Sequence, residues 1–198
     1  MEETRKDLLA DLGLADASYP ALTAFVAGDH KYIRDLRMNL KNTIGSVNLG
    51  GKKQAYLIAL AVAANERAAD LAASFSASAK NEGATDAEVA EAYAIASLLA
   101  TLNVFYRFRH FTDNKQYETM QAGIKMTIMA RPVLSKMFFE LTSLVVSAVN
   151  GCQSCVNSHE IAVRNEGGTP ELIFDAIRLG AVVRGLCVAL HAAPPATI

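Results

Sequence analysis

Apolar residues recur at three- and four-residue spacing along most of the chain, and no stretch keeps up the strict alternation of a half-buried strand. The pattern predicts helices throughout. Residues 3–14 read as an amphipathic helix ended by Gly13, and Tyr19-Pro20 opens a second helix to about Ala27. His30 to Val47 forms a third, with Ile33, Leu36 and Leu40 on one face, and Asn48-Leu49-Gly50-Gly51 closes it. A long apolar helix is expected from Lys53 to Lys80 and another from Thr85 to about Phe105, followed by a polar connector at 111–116. Tyr117 to Met129 reads as helical, and Pro132 suits the first position of a helix running to Val149. A further helix reaches Asn165, a last one spans Thr169 to about Leu190, and residues 191–198 form a tail. The Leu-Val-Val and Ala-Val-Val runs are β-branched, but each lies inside a longer helical pattern. The fold expected is all-α, as a single domain over 1–198.

The helical pattern is also repeated. Lys80-Asn81-Glu82-Gly83-Ala84-Thr85 matches Arg164-Asn165-Glu166-Gly167-Gly168-Thr169 at an offset of 84 residues without gaps. Glycine stops one helix in each block and threonine caps the next, with Glu88 completing a capping box in the first copy and Pro170 following the cap in the second. Two topologically similar half-domains are expected, near 40–110 and 124–191, packed together as one bundle.

Composition narrows the picture. The chain is 52% hydrophobic with mean hydropathy +0.19, 7% aromatic and without Trp, so the core is aliphatic and built from small residues. That hydrophobicity exceeds what a 21.2 kDa monomer readily hides, which predicts a homo-oligomer. A net charge of −1 and pI near 6.4 give no reason to expect nucleic acid or an anionic membrane surface. The charged start, Met1 to Asp7, lacks the apolar core of a signal peptide, and no run of 18 uncharged apolar residues occurs to span a bilayer. A cytoplasmic location is expected. Lys31, Arg34, Arg37, Lys41, Lys52 and Lys53 form a basic stripe, read either as a solvated face or as a dock for an acidic protein.

The chemistry concentrates in Asn150-Gly151-Cys152-Gln153-Ser154-Cys155-Val156-Asn157-Ser158-His159. Asn-Gly is a turn signal, and on the helix after it Cys152, Cys155 and His159 fall within an arc of about 60°. Cysteines three apart on one helical face can reach disulfide distance. The first copy carries Ala68, Leu71 and Phe75 at these three positions, so packing does not require the polar set. Glu140 is the one charge in Met137–Val149; it precedes the turn by ten residues, His159 follows it by eight, and the two can approach across the hairpin. A carboxylate there would hold one imidazole tautomer and raise its basicity. The helix dipole favours Cys152 as the activated thiol, whereas His159, one turn past Cys155, favours Cys155. Cys187 lies among apolar residues and reads as an inert buried thiol; His30, His110 and His191 lack partners at motif spacing, and Arg107-Phe108-Arg109-His110 is a basic cluster without an assigned task.

Glu140, Cys152-x-x-Cys155-x-x-x-His159, the Asn-Glu-Gly-Gly-Thr block and the closing helix together resemble the alkyl hydroperoxidase D family of the carboxymuconolactone decarboxylase-like superfamily, over roughly residues 40–190. The resemblance implies an all-helical oligomer, a trimer or a pair of trimers. It implies reduction of hydroperoxides, or of a partner peroxiredoxin, by electrons from the lipoyl group of an acyltransferase subunit, with no bound cofactor beyond a redox-active Cys152–Cys155 disulfide. It assigns Cys155 as the peroxide-attacking cysteine, Cys152 as the resolving one, and Glu140 and His159 as the proton relay. The family pattern has a histidine immediately before the second cysteine. Here that residue is Ser154, whose hydroxyl can pass a proton through water but is no base near neutral pH.

Three other readings compete. Cys152, Cys155, His159 and Glu140 could bind zinc, although zinc sites more often pair short motifs from separate segments. A lactone decarboxylase-like enzyme on the same fold would not need a dithiol. A non-catalytic helical module would not confine the polar set to one half.

Overall fold

The computed structural model describes residues 1–15 and 17–192; Asp16 and residues 193–198, which are most of the expected tail, lie outside the described residues. Among the described residues there are eleven α-helices, one 3₁₀ turn at Val47–Leu49, and no strand. The helices are α1 (Glu2–Asp11), α2 (Pro20–Ala27), α3 (Tyr32–Ile44), α4 (Lys52–Asn65), α5 (Ala69–Asn81), α6 (Asp86–Phe111), α7 (Gln116–Thr119), α8 (Thr127–Ala130), α9 (Lys136–Val149), α10 (Gln153–Asn165) and α11 (Pro170–His191).

Two helices form the centre. On α4, Ala55 and the run Leu57 to Ala63 have no exposed surface, so the helix is enclosed on every side by α5, α6, α9 and α11. On α9, every residue from Phe138 to Ser147 is buried. The bounds of α4 and α9, and of α5 and α10, differ by 84 at both ends, and α6 and α11 begin 84 residues apart. Close approach of α11 to α9 needs Gly180: a Cβ there would come within 2.3 Å of Val145 Cγ1.

The helix expected from Lys53 to Lys80 is in fact two. Helix α4 stops at Asn65, and α5 starts at Ala69 after a tight reversal. The Arg67 N–H donates to Ala64 O at 3.1 Å and the Ala68 N–H to Ala63 O at 3.0 Å, with Arg67 left-handed at φ 61°. This is a Schellman ending made without glycine. Between α9 and α10 the same ending recurs: Gly151 (φ 69°) donates to Ala148 O at 3.1 Å and Cys152 to Ser147 O at 3.1 Å.

A second correction concerns 117–132. Helical turns form at Gln116–Thr119 and Thr127–Ala130 only, and none of the residues 112–133 is buried. A continuous helix there would find no neighbour to bury its apolar face, and such a helix is unstable by itself. Pro132 does not start a helix either. The Glu91 carboxylate accepts the Val133 and Leu134 N–H groups at 2.6 Å each, and Ser135 caps α9 by accepting the Phe138 N–H at 3.2 Å.

Helix α6 runs on to Phe111, past the expected end at Phe105, and by length and composition it could cross a membrane. In this fold it packs on α4 and α9 and turns Glu91 and Asn103 into the interior. Part of the basic stripe is consumed internally: Arg37 pairs with Asp7 and Asp11 at 2.5 and 2.6 Å, Lys41 with Asp11 at 3.2 Å, and Lys53 with Glu88 at 2.9 Å. Those three cations brace α1 against α3, and α4 against α6.

Candidate redox site

The α9–α10 reversal sets the site. Cys152 is the N-cap of α10, one position earlier than the first-turn place expected for it, and its side chain makes no capping bond. Cys155 is the third residue of the helix, inside the first turn where backbone N–H groups lack helical partners. The two form a disulfide, with Cα atoms 5.3 Å apart. Cys152 is fully buried and Cys155 is 7% exposed.

His159 follows one turn later. Its Nδ1 lies 2.7 Å from Glu140 Oε2, and both side chains are buried. A neutral imidazole in this arrangement donates from Nδ1 and keeps a lone pair on Nε2. Burial pushes the Glu140 carboxyl up, but its bonds with His159 and Lys136 outweigh that and hold it below the usual carboxylate range. Lys136, the first residue of α9, places Nζ 2.6 Å from Glu140 Oε1. The one sequence signal for this residue is its i, i+4 spacing to the lone Glu140.

A cavity of about 370 Å³ opens beside these groups. Helix α6 supplies Leu99, Leu102 and Tyr106, the connector supplies Met126 and Met129, and α10 supplies Ser154, Cys155, Ser158 and His159. Of the two cysteines it is Cys155 that lines it. Ser154 Oγ also sits 3.6 Å from Cys152 Sγ.

The reversal is braced by amides from both halves. Asn65 and Asn150 exchange hydrogen bonds at 2.8 and 3.0 Å, Asn150 Nδ2 donates to Asn103 Oδ1 at 2.9 Å, and Asn103 Nδ2 to Ser147 Oγ at 3.0 Å. The basic cluster now has partners. Arg107 donates to Asn150 O at 2.7 Å, His110 Nε2 lies 3.2 Å from Gln153 Oε1, and Arg109 donates to Met120 O. No sequence motif pointed to these braces, because each joins residues more than ten positions apart.

The remaining candidates lie elsewhere. Cys187 is a buried free thiol on α11, and burial pushes it up to about 12. His191 is bound to Asp70 Oδ1 at 2.8 Å, and His30 accepts the Tyr32 N–H at 3.3 Å. Among the described residues no group of three or more His, Cys, Asp or Glu side chains is placed to hold a metal ion.

Comparison with known proteins fits this geometry. Residues 116–197 match the model of the carboxymuconolactone decarboxylase family. The alkyl hydroperoxide reductase AhpD of Anaeromyxobacter dehalogenans (strain 2CP-C) is 40% identical over 166 residues, covering 82% of this chain and 88% of that protein. The chain belongs to the AhpD family. Other AhpD relatives include the protein of Brucella canis, 37% identical over 163 residues (82% of this chain, 91% of the relative), and that of Streptomyces avermitilis, 36% identical over 172 residues (87% and 96%). The AhpD relatives carry the name of an oxidoreductase, and their similarity extends well beyond the half matched by the family model, into the half without cysteines.

Proposed function

We propose that this chain reduces alkyl hydroperoxides by a dithiol–disulfide cycle at Cys152 and Cys155. The observation that carries the reading is the shared cavity: Cys155 and His159 line it together, and Glu140 holds His159 from behind. In the reduced protein His159 takes the Cys155 proton through its free ring nitrogen. The thiolate attacks the distal peroxide oxygen, the O–O bond breaks, and the departing alkoxide takes up a proton as the alcohol. Cys155 is then a sulfenic acid. The Cys152 thiol displaces its hydroxyl as water and closes the disulfide. A dithiol donor must supply two electrons and two protons to reopen it.

The placement of Cys155 in the first turn of α10 supports it as the attacking residue, because the helix dipole and His159 then act on the same thiol. Ser154 would pass protons only through water, so the relay rests on His159 and Glu140. Lipoyl groups of an acyltransferase subunit are the proposed donor, a peroxiredoxin is a proposed second oxidant, and the cytoplasm is the proposed compartment. The apolar side chains left exposed near the end of α6, including Val104, Phe108 and Phe111, support a homo-oligomer, with a trimer or paired trimers proposed. The matching helix bounds support reading the chain as one domain made of two similar halves.

The test is single-turnover oxidation of the reduced protein with one equivalent of an alkyl hydroperoxide. Two thiols per chain should disappear and return with dihydrolipoamide. Cys152→Ser should consume one equivalent, trap a sulfenic acid at Cys155 and stall; Cys155→Ser should trap nothing. Trapping at Cys152 in Cys155→Ser, with none at Cys155 in Cys152→Ser, would reverse the two roles. Unconsumed hydroperoxide with all thiols intact would refute the activity.

A further inference from the structure

Lys136 touches no atom that reacts, yet it is joined to the site on two sides. Its Nζ lies 2.6 Å from Glu140 Oε1 and donates to Met129 O at 2.9 Å, and Met129 forms part of the cavity wall. Helix preference does not explain the residue, since a cation at the first position of α9 faces the positive end of the helix dipole.

The charge balance does explain it. Glu140 is 4% exposed and held as a carboxylate between two partners. With His159 as its one partner, that buried anion would need compensation, and the imidazole would supply it by holding a second proton. An imidazolium has no lone pair and cannot accept the Cys155 proton. With Lys136 on the other oxygen the carboxylate charge is already matched. His159 can then stay neutral, donating Nδ1–H to Glu140 and keeping Nε2 open. The cavity that the imidazole lines is shared with Ser154, Cys155 and Ser158 of its own helix and Tyr106 of α6, while the connector contributes the uncharged Met126 and Met129.

We infer that Lys136 is a positioning residue whose charge keeps His159 neutral and able to act as the base, while its second bond fixes the Met129 wall. The inference rests on the reading of His159 as that base. It makes the relay a file of three, Lys136–Glu140–His159, with the cation at the solvent end, where its side chain is 42% exposed.

The test reads protonation, not turnover. The reduced protein is labelled with ¹⁵N-histidine, and the His159 signals are assigned by their loss in His159→Gln. At neutral pH the wild type should show widely separated ring nitrogens, the mark of a neutral Nδ1–H tautomer. In Lys136→Met the two signals should converge to the imidazolium pattern, and Lys136→Arg should restore the separation. Unchanged signals from His30, His110 and His191 report that the fold is kept, and Lys136→Gln serves if the Met variant is poorly folded. A neutral His159 in both uncharged variants, or an imidazolium in the wild type, would overturn the inference. Peroxide is absent throughout, so failure of the peroxidase reading would appear separately, as unconsumed hydroperoxide with this pattern intact.

Discussion

Glu140→Gln removes one charge and keeps the shape. The carboxylate accepts from His159 on one oxygen and faces Lys136 with the other, at 2.7 and 2.6 Å. An amide can serve only one of them: with its oxygen toward His159, its NH₂ points at an ammonium. Lys136 is exposed enough to turn to water, but His159 is 7% exposed and cannot. A charge-assisted hydrogen bond therefore becomes a neutral one, a loss of about 1 kcal/mol. For a chain of this length that lowers Tm by roughly 2–4 °C. The pH dependence has a definite sign. The folded carboxyl lies below its ordinary value of 4.5, so the stabilisation is complete above that pH and disappears as pH falls through the depressed folded value. Urea unfolding of the reduced proteins should show a full gap between wild type and variant at neutral pH, closing in acid. Stopped-flow single turnover should slow by about 100-fold, the lower end of what a positioned base supplies. A stability gap that persists undiminished in strong acid would refute the ion-pair argument. A destabilised variant that turns over at the wild-type rate would show that Glu140 only builds the core.

Thiol reagents at neutral pH should label Cys187 of the reduced protein only on unfolding, because burial pushes that thiol up to about 12; fast labelling of Cys187 in the native protein would contradict this. Arg67→Gly should raise stability by about 1 kcal/mol by removing a left-handed non-glycine residue, and chemical denaturation giving no gain would show that the conformation is unstrained. Sedimentation at micromolar concentration should find an assembly larger than 21.2 kDa; a monomer would leave the exposed Phe108 and Phe111 without an explanation.

Most helices were legible because their ends carry chemical marks. Pro20 opens α2, Thr85 with Glu88 caps α6, and Thr169 caps α11. The break at Arg67 was not legible locally, since arginine carries no turn signal. It could have been found from the 84-residue offset, which sets Glu66-Arg67-Ala68 against Asn150-Gly151-Cys152. The connector misled because Tyr117 to Met129 has helix-forming residues but no neighbour to bury them, a fact of packing that composition does not hold. At the site, Cys152, Cys155 and His159 stood out by spacing along one helix. Arg107, Asn65 and Asn103 reach the reversal from other helices, so nothing local marked them.

The reversal at Arg67 has a practical side, because it leaves the first half holding a socket of the same backbone shape. Ala68 and Leu71 stand where the second half has its cysteines, after a Schellman ending with the same two bonds. Cysteines built in at 68 and 71 would therefore meet a scaffold already bent for a bridge, but beside Phe75 and Tyr56 in place of the imidazole and the carboxylate. Such a chain would carry two dithiols in near-identical frames, one with a proton relay and one without. Their rates of oxidation by the same hydroperoxide, measured within one molecule, would separate what the bend contributes from what the relay contributes.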